Sequence, residues 1–326
     1  MDATSTARFP VLRLLGGILF VLAGLLAYCK VALGASGALI FFFGGAVVLV
    51  AVLAGHRSRP GDVALFMLGV LVLSGVAAGY APGGQQASYS AARDQVHAST
   101  ISLDVKDSIG SVDVSFTDRV NVAYEVNFTR PVAFLPFWPM GADTVTNSTG
   151  GGVLNLDVVA GWSSVTVAIG RGYSVDVNVT TDTGSVSFEA TGNESVRDVS
   201  LMSSTGSVSA IIDSASVESI KLHSSTGSVS LSSDHLGAVG TSVPVTLSSS
   251  IGSVSMSVGV GPADAVSVSA STNLGTINHQ LPGFTVTQDT DRSLAASIGN
   301  PATATRSFAV TATTNLGSVS LSIHLL

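Results

Sequence analysis

The stretch Ser225–Leu231, STGSVSL, decides the fold, because the chain keeps returning to it. The same phrase stands at Ser108–Val114 (SIGSVDV), Asp182–Phe188 (DTGSVSF), Ser204–Ala210 (STGSVSA) and Ser250–Met256 (SIGSVSM). A worn copy lies at Asn273–Ile277 (NLGTI) and a clean one at Asn315–Leu321 (NLGSVSL). Each copy sits between alternating runs. Around Gly227, Ile220 and Leu222 precede the glycine and Val229 and Leu231 follow it; around Gly252, Val243, Val245 and Leu247 precede, and Val254, Met256 and Val258 follow. Successive strand residues point to opposite faces, so the apolar positions share one face and the intervening Ser, Thr and Asp share the other. A glycine flanked by Ser, Thr or Asn is the residue for the turn between them. The unit is strand, turn, strand, with turn glycines at Gly110, Gly184, Gly206, Gly227, Gly252, Gly275 and Gly317.

From Gly184 to Gly275 the glycines are 22, 21, 25 and 23 residues apart. The step to Gly317 is 42, close to two units, and Ser297-Ile298-Gly299 reads as a degenerate copy between them. A period near 22 residues predicts stacked coils, a β-solenoid, in which each coil adds a layer about 4.8 Å above the last. The alternative is a β-sandwich whose hairpins look alike, since short strands with frequent turn signals also describe that fold.

Composition divides the chain at Tyr80. Before it, Leu, Val, Ala, Gly and Phe dominate; from Ala81 onward the chain is rich in Ser, Thr, Val and Gly. The later segment holds nine basic and 19 acidic residues, a net charge of −10, which argues against a nucleic-acid partner. Cys29 is the single cysteine, so one chain has neither a disulfide framework nor a cysteine metal site.

Three apolar stretches, about 11–28, 32–54 and 63–80, predict three transmembrane helices. Gly75 and Gly79 form a GxxxG pair suited to helix packing. Arg8, Arg13, Arg57 and Arg59 fall on one side of the spans and Lys30 and Arg93 on the other. The positive-inside rule then places the N-terminus in the cytoplasm and everything after the third span outside the cell membrane. A cleaved signal peptide is the rival reading of the first span.

Residues 81–100, small and polar and opened by Pro82, Gly83 and Gly84, read as a tether between the anchor and a β-repeat ectodomain spanning 101–326. The pattern breaks at Pro131–Met140 (PVAFLPFWPM), where an apolar insert carries Phe137 and Trp138; it reads as a cap on the first coil or as a contact finger. Asn127, Asn147, Asn178 and Asn193 begin Asn-x-Ser/Thr triplets. In so Ser/Thr-rich a segment their number carries no weight, but Asn127 and Asn178 alternate with apolar neighbours and point away from the apolar face, as glycan acceptors must.

Chemistry is hard to find. The six histidines are not paired at metal-ligand spacing, and His223, Asp234 and His235 are the nearest to a cluster. No Gly-x-Ser-x-Gly elbow stands at a strand-to-helix turn, and the repeat glycines stand singly where a phosphate loop needs several with a lysine. The sequence predicts no catalytic, cofactor or metal site.

The repeated Gly-Ser-Val-Ser-apolar phrase, over about Ile101 to Leu326, resembles the putative-adhesin β-repeat domains of bacterial and archaeal surface proteins. That resemblance implies a non-enzymatic, prokaryotic cell-surface protein held in membrane lipid, with an envelope component, a glycan or a neighbouring surface protein as partner. Self-association through exposed strand edges is a further expectation. Spans ahead of a β domain also resemble membrane-bound envelope-stress regulators, which gives the alternative of a sensor whose β domain binds a partner.

Overall fold

The computed structural model describes residues 86–130, 143–192, 194–213, 215–234, 236–237 and 242–326. The three expected spans with Gly75 and Gly79, the first five tether residues, Phe137, Trp138 and Asn193 lie outside the described residues. No helix among the described residues is long and apolar enough to cross a membrane. The described residues from 86 to 129 and from 143 onward belong to one compact all-β unit built on two large mixed sheets.

The strands flanking each Gly-Ser phrase do not pair with one another as a hairpin. One enters the 11-stranded sheet and the other the 10-stranded sheet, so each phrase is the corner where the chain passes between sheets. The strands before the corners pair in parallel: Val153–Ala160, Thr100–Ile109, Ser174–Thr183, Ser195–Thr205, Ser219–Thr226, Ser242–Ile251, Arg306–Leu316 and Asp264–Leu274, in that spatial order. Those after the corners repeat the order in the other sheet, from Ser164–Gly170 through Val112–Thr117 to Val319–Leu325 and Ile277–Gln280. Parallel sheets covered on both faces read as continuous apolar runs; these keep strict alternation because only the face between the sheets is dry.

Register puts like on like. Val112, Val165, Val186, Val208, Val229, Val254 and Val319 stack in one column, each at most 1% exposed. Opposite them, Val105, Val158, Val179, Leu201, Leu222 and Leu247 line the other sheet. Burying each such side chain contributes about 1.5–3 kcal/mol, and β-branched residues suit the pleat. The 22-residue period is the path length of one circuit through both sheets.

Chain order and spatial order part company at both ends. The coil turning at Gly317 slots between those of Gly252 and Gly275, so the last coil in the sequence is not the last in space. The strand Val153–Ala160, with Ser164–Gly170, lies outside the coil that precedes it. Antiparallel strands close the stack. Val122–Thr129 and then Gln86–Ala92 extend the smaller sheet, and Thr144–Gly150 extends the larger. At the far end Ser293–Ile298 and Thr285–Thr290 add to Asp264–Leu274.

Two expectations are corrected. Residues 86–100 are no tether: Gln86–Ala92 is an edge strand paired with Val122–Thr129, Arg93–Gln95 is a single 3-10 turn, and Thr100 opens the first coil. Ser297-Ile298-Gly299 is not a worn coil, because its strand runs antiparallel to Asp264–Leu274 and ends in a turn with Gly299 at φ +74°.

Candidate functional site: the corner column

The corners build a continuous column along one side of the stack. Each corner glycine donates its N–H to the residue before the next corner: Gly184 to Thr205, Gly206 to Thr226, Gly227 to Ile251 and Gly252 to Leu316, all at 2.8 Å. The valine two residues on donates to the residue after the next glycine, as Val208 does to Ser228 at 2.9 Å. These bonds leave the glycine carbonyls over. A hydroxyl three residues ahead of the next corner glycine donates to each: Ser203 to Gly184, Ser224 to Gly206, Ser249 to Gly227, Thr314 to Gly252 and Thr272 to Gly317, at 2.7–2.9 Å. All five are buried. A buried carbonyl without a donor costs about 1–3 kcal/mol, so this inward polar column satisfies the backbone.

The same column makes glycine obligatory. A Cβ on Gly206, Gly227 or Gly252 would lie 1.9–2.1 Å from the previous glycine's carbonyl oxygen, and these three φ angles are +144° to +148°. Gly184, Gly275 and Gly317 obey the same rule. Gly110 differs, since its φ lies outside the left-handed range; it is held to glycine by the Ser163 carbonyl oxygen, 2.2 Å from where a Cβ would stand. Sequence reading found the glycines and missed the hydroxyls, although the signal was present: every phrase has Ser, Thr or Asp three residues before its glycine.

At the first phrase that position is Asp107, 4% exposed. Its Oδ2 accepts from the Thr181 hydroxyl at 3.5 Å, and its Oδ1 has no hydrogen-bond partner. Burial pushes the carboxyl up to about 7, with a smaller push from the Asp143 charge, against N–H bonds from Ile109 and Ser108 and the Thr181 hydroxyl. Asp143 accepts from the Gly161 N–H at 3.2 Å and the Ser163 hydroxyl at 2.6 Å.

Elsewhere the polar groups satisfy one another. Asn127 donates to Glu125 at 3.0 Å, Asn178 to Asp104 at 2.8 Å and Asn147 to the Tyr124 hydroxyl at 2.6 Å, so three of the four glycan candidates are engaged on the surface of different strands. Arg197 pairs with Asp176 through Nε at 2.9 Å. The buried Glu194 carboxylate lies 3.1 Å from Arg171 Nε, whose guanidinium also reaches Asp118 at 3.0 Å. His223 meets Ser248 at 2.8 Å, and His279 meets Asp289 at 3.3 Å; His235 lies outside the described residues. Among the described residues no group of three or more His, Cys, Asp or Glu is placed to hold a metal. A concavity at the Gly275 end is lined by His279, Gln280, Leu281, Val286, Ile323 and His324, without a convergent set of reactive groups.

The geometry therefore defines an all-β domain whose repeated residues serve its own backbone. No family model and no curated protein matches this chain. Among solved structures it is similar to a putative cell adhesion protein from Clostridium sporogenes, at 10% identity and a TM-score of 0.47, over 74% of this chain and 99% of that one. A likeness at that level says nothing of function.

Proposed function

We propose that this chain is a membrane-anchored cell-surface protein whose β domain, a short β-solenoid, makes non-enzymatic contact with an envelope component, a glycan or a neighbouring surface protein. The three apolar stretches before residue 81 supply the anchor. The observation that carries the contact role is the outward face of the smaller sheet. There Asp113, Ser187, Ser209, Ser230, Ser255, Ser320 and Asn278 stand in one register column. Ser232, Ser257 and Ser322 stand in a second, two residues along the strands. At about 4.8 Å per strand this is a regular array of hydroxyls from Ser209 to Ser320, with its charge at the other end, where Ser187 donates to Asp113 at 2.5 Å and Glu189 stands in the second column. Such an array suits a repetitive polar partner bound through many weak hydrogen bonds.

Protease shaving of intact cells carrying a tag after Leu326 tests the placement. Loss of the tag from sealed cells is the expected result, and a tag that survives until lysis overturns it. For contact, Ser209→Lys/Ser230→Lys/Ser255→Lys should abolish retention of the protein on isolated cell envelopes without unfolding it. Unchanged retention overturns the hydroxyl face as the contact.

A further inference from the structure

We propose that Asp107 is a proton-operated latch: protonated, its carboxyl donates to the Ser163 carbonyl and locks the corner at the first end of the stack, and loss of that proton to solvent releases it. The argument is positional. Ala160 is the register partner of Asp107, so three residues on Ser163 stands where the other coils have their glycine. Its carbonyl oxygen lies 2.2 Å from the Cβ position of Gly110, matching the 1.9–2.1 Å of the glycine carbonyls below Gly206, Gly227 and Gly252. In those coils the donating hydroxyl lies 3.0–3.1 Å from the same point; here Asp107 Oδ2 lies 2.9 Å from it. Asp107 thus occupies the donor's place over an acceptor. A carboxylate has no proton to give and would set oxygen against oxygen, whereas a carboxylic acid reproduces the serine's bond.

The surroundings favour the acid form. Asp107 is buried, and Asp143 adds negative charge. From the flanking strands it meets uncharged Thr181 and Ala160, while Asp104, Lys106 and Asp157 stand at positions alternating with the buried ones, on the outward face. Asp143 holds the same corner through Gly161 and Ser163, so the two carboxyls share one turn, and ionisation of Asp107 sets like charges together across it.

The test is hydrogen exchange on the full chain from pH 5 to 8.5. It is read at the corner amides of Ile109, bonded to Gly161 at 2.9 Å, and Val165, bonded to Ser111 at 2.8 Å. When the corner opens, Asp107 regains an ordinary acidity. Protection corrected for intrinsic exchange should therefore fall by about tenfold per pH unit until the folded-state titration near neutrality, then level off. The Gly227 amide serves as internal reference and should stay flat. Asp107→Ser restores the hydroxyl of the other coils and should remove the pH dependence while keeping the corner closed. Asp107→Asn, a neutral donor, should do the same and decides the matter if the serine variant fails to fold. Asp107→Ala should be open at every pH. A flat profile in the native chain, or a pH dependence that persists in the Ser or Asn variant, overturns the proposal. So does a midpoint that calcium chloride moves downward, which would make the pair of carboxyls a cation site.

Discussion

Replacing Gly227 with alanine separates the two demands that the corner makes. At φ +148° a side chain is strained, at about 1–3 kcal/mol. The new methyl would also lie 2.1 Å from the Gly206 carbonyl oxygen, which is backbone and cannot swing aside. Relief requires the two coils to part, weakening the Gly206–Thr226 bond and the buried Ser224–Gly206 bond. Losing the second adds about 1–3 kcal/mol for the buried carbonyl left unpaired. The expected total is about 2–6 kcal/mol, and with about 2–4 °C per kcal/mol in a domain of this size the midpoint should drop by about 4–24 °C. Gly151→Ala is the control, because Gly151 has φ +60° but nothing within 4 Å of its Cβ position; it should cost only about 1–2 kcal/mol. Both are measured by circular dichroism melts and urea titration. If Gly227→Ala loses no more than Gly151→Ala, the close approach between corners is not what fixes glycine there.

Ser224→Ala should cost about 1–3 kcal/mol in urea titration, because the buried Gly206 carbonyl loses its donor; Ser224→Thr should cost little, since Thr272 and Thr314 fill the same role. Asp107 gives a pH dependence of definite sign. Its folded-state value is raised from 3.8 to about 7, so the folded chain holds the proton longer than the unfolded one. Its contribution to stability is whole below about pH 4, declines as pH rises toward 7, at no more than about 1.4 kcal/mol per unit, and is level above. Asp107→Ser should therefore gain stability over the native chain in melts at pH 8 relative to pH 5. Arg171→Ala should destabilise by about 1–3 kcal/mol by stranding the buried Glu194 carboxylate, and Glu194→Gln added to it should recover part of the loss in the same melts.

Much of the architecture could be read from residue order. The phrase around Gly227 marks a corner, the alternation of Ile220, Leu222, Val229 and Leu231 assigns the dry face, and the spacing gives the length of a circuit. The strand Gln86–Ala92 escaped because its residues are mostly exposed small and polar ones with no apolar alternation; its pairing with Val122–Thr129 supplies the order that its own side chains do not. The Ser163 corner escaped for a related reason. It has serine at the position where the other corners have glycine, and only the register against Asp107 and Gly110 reveals that Ser163 fills a glycine's place.

By itself, then, the sequence determines the local unit: which residues turn, which face inward, and that a chain of such units must stack, since neither strand of a unit can bury its apolar face or satisfy its backbone alone. Tertiary structure alone decides which unit lies on which. Corners as alike as Gly252, Gly275 and Gly317 offer interchangeable surfaces, so nothing local says that the Gly317 coil enters between the other two. That choice comes from the antiparallel strand Ser293–Ile298, itself backed by Thr285–Thr290, which pairs with Asp264–Leu274 and leaves its other edge for Arg306–Leu316. The role proposed for Asp107 rests on the same thing: in the sequence it is one acidic residue among many, and only stacking sets its carboxyl where Ser203, Ser224, Ser249, Thr272 and Thr314 place a hydroxyl over a carbonyl.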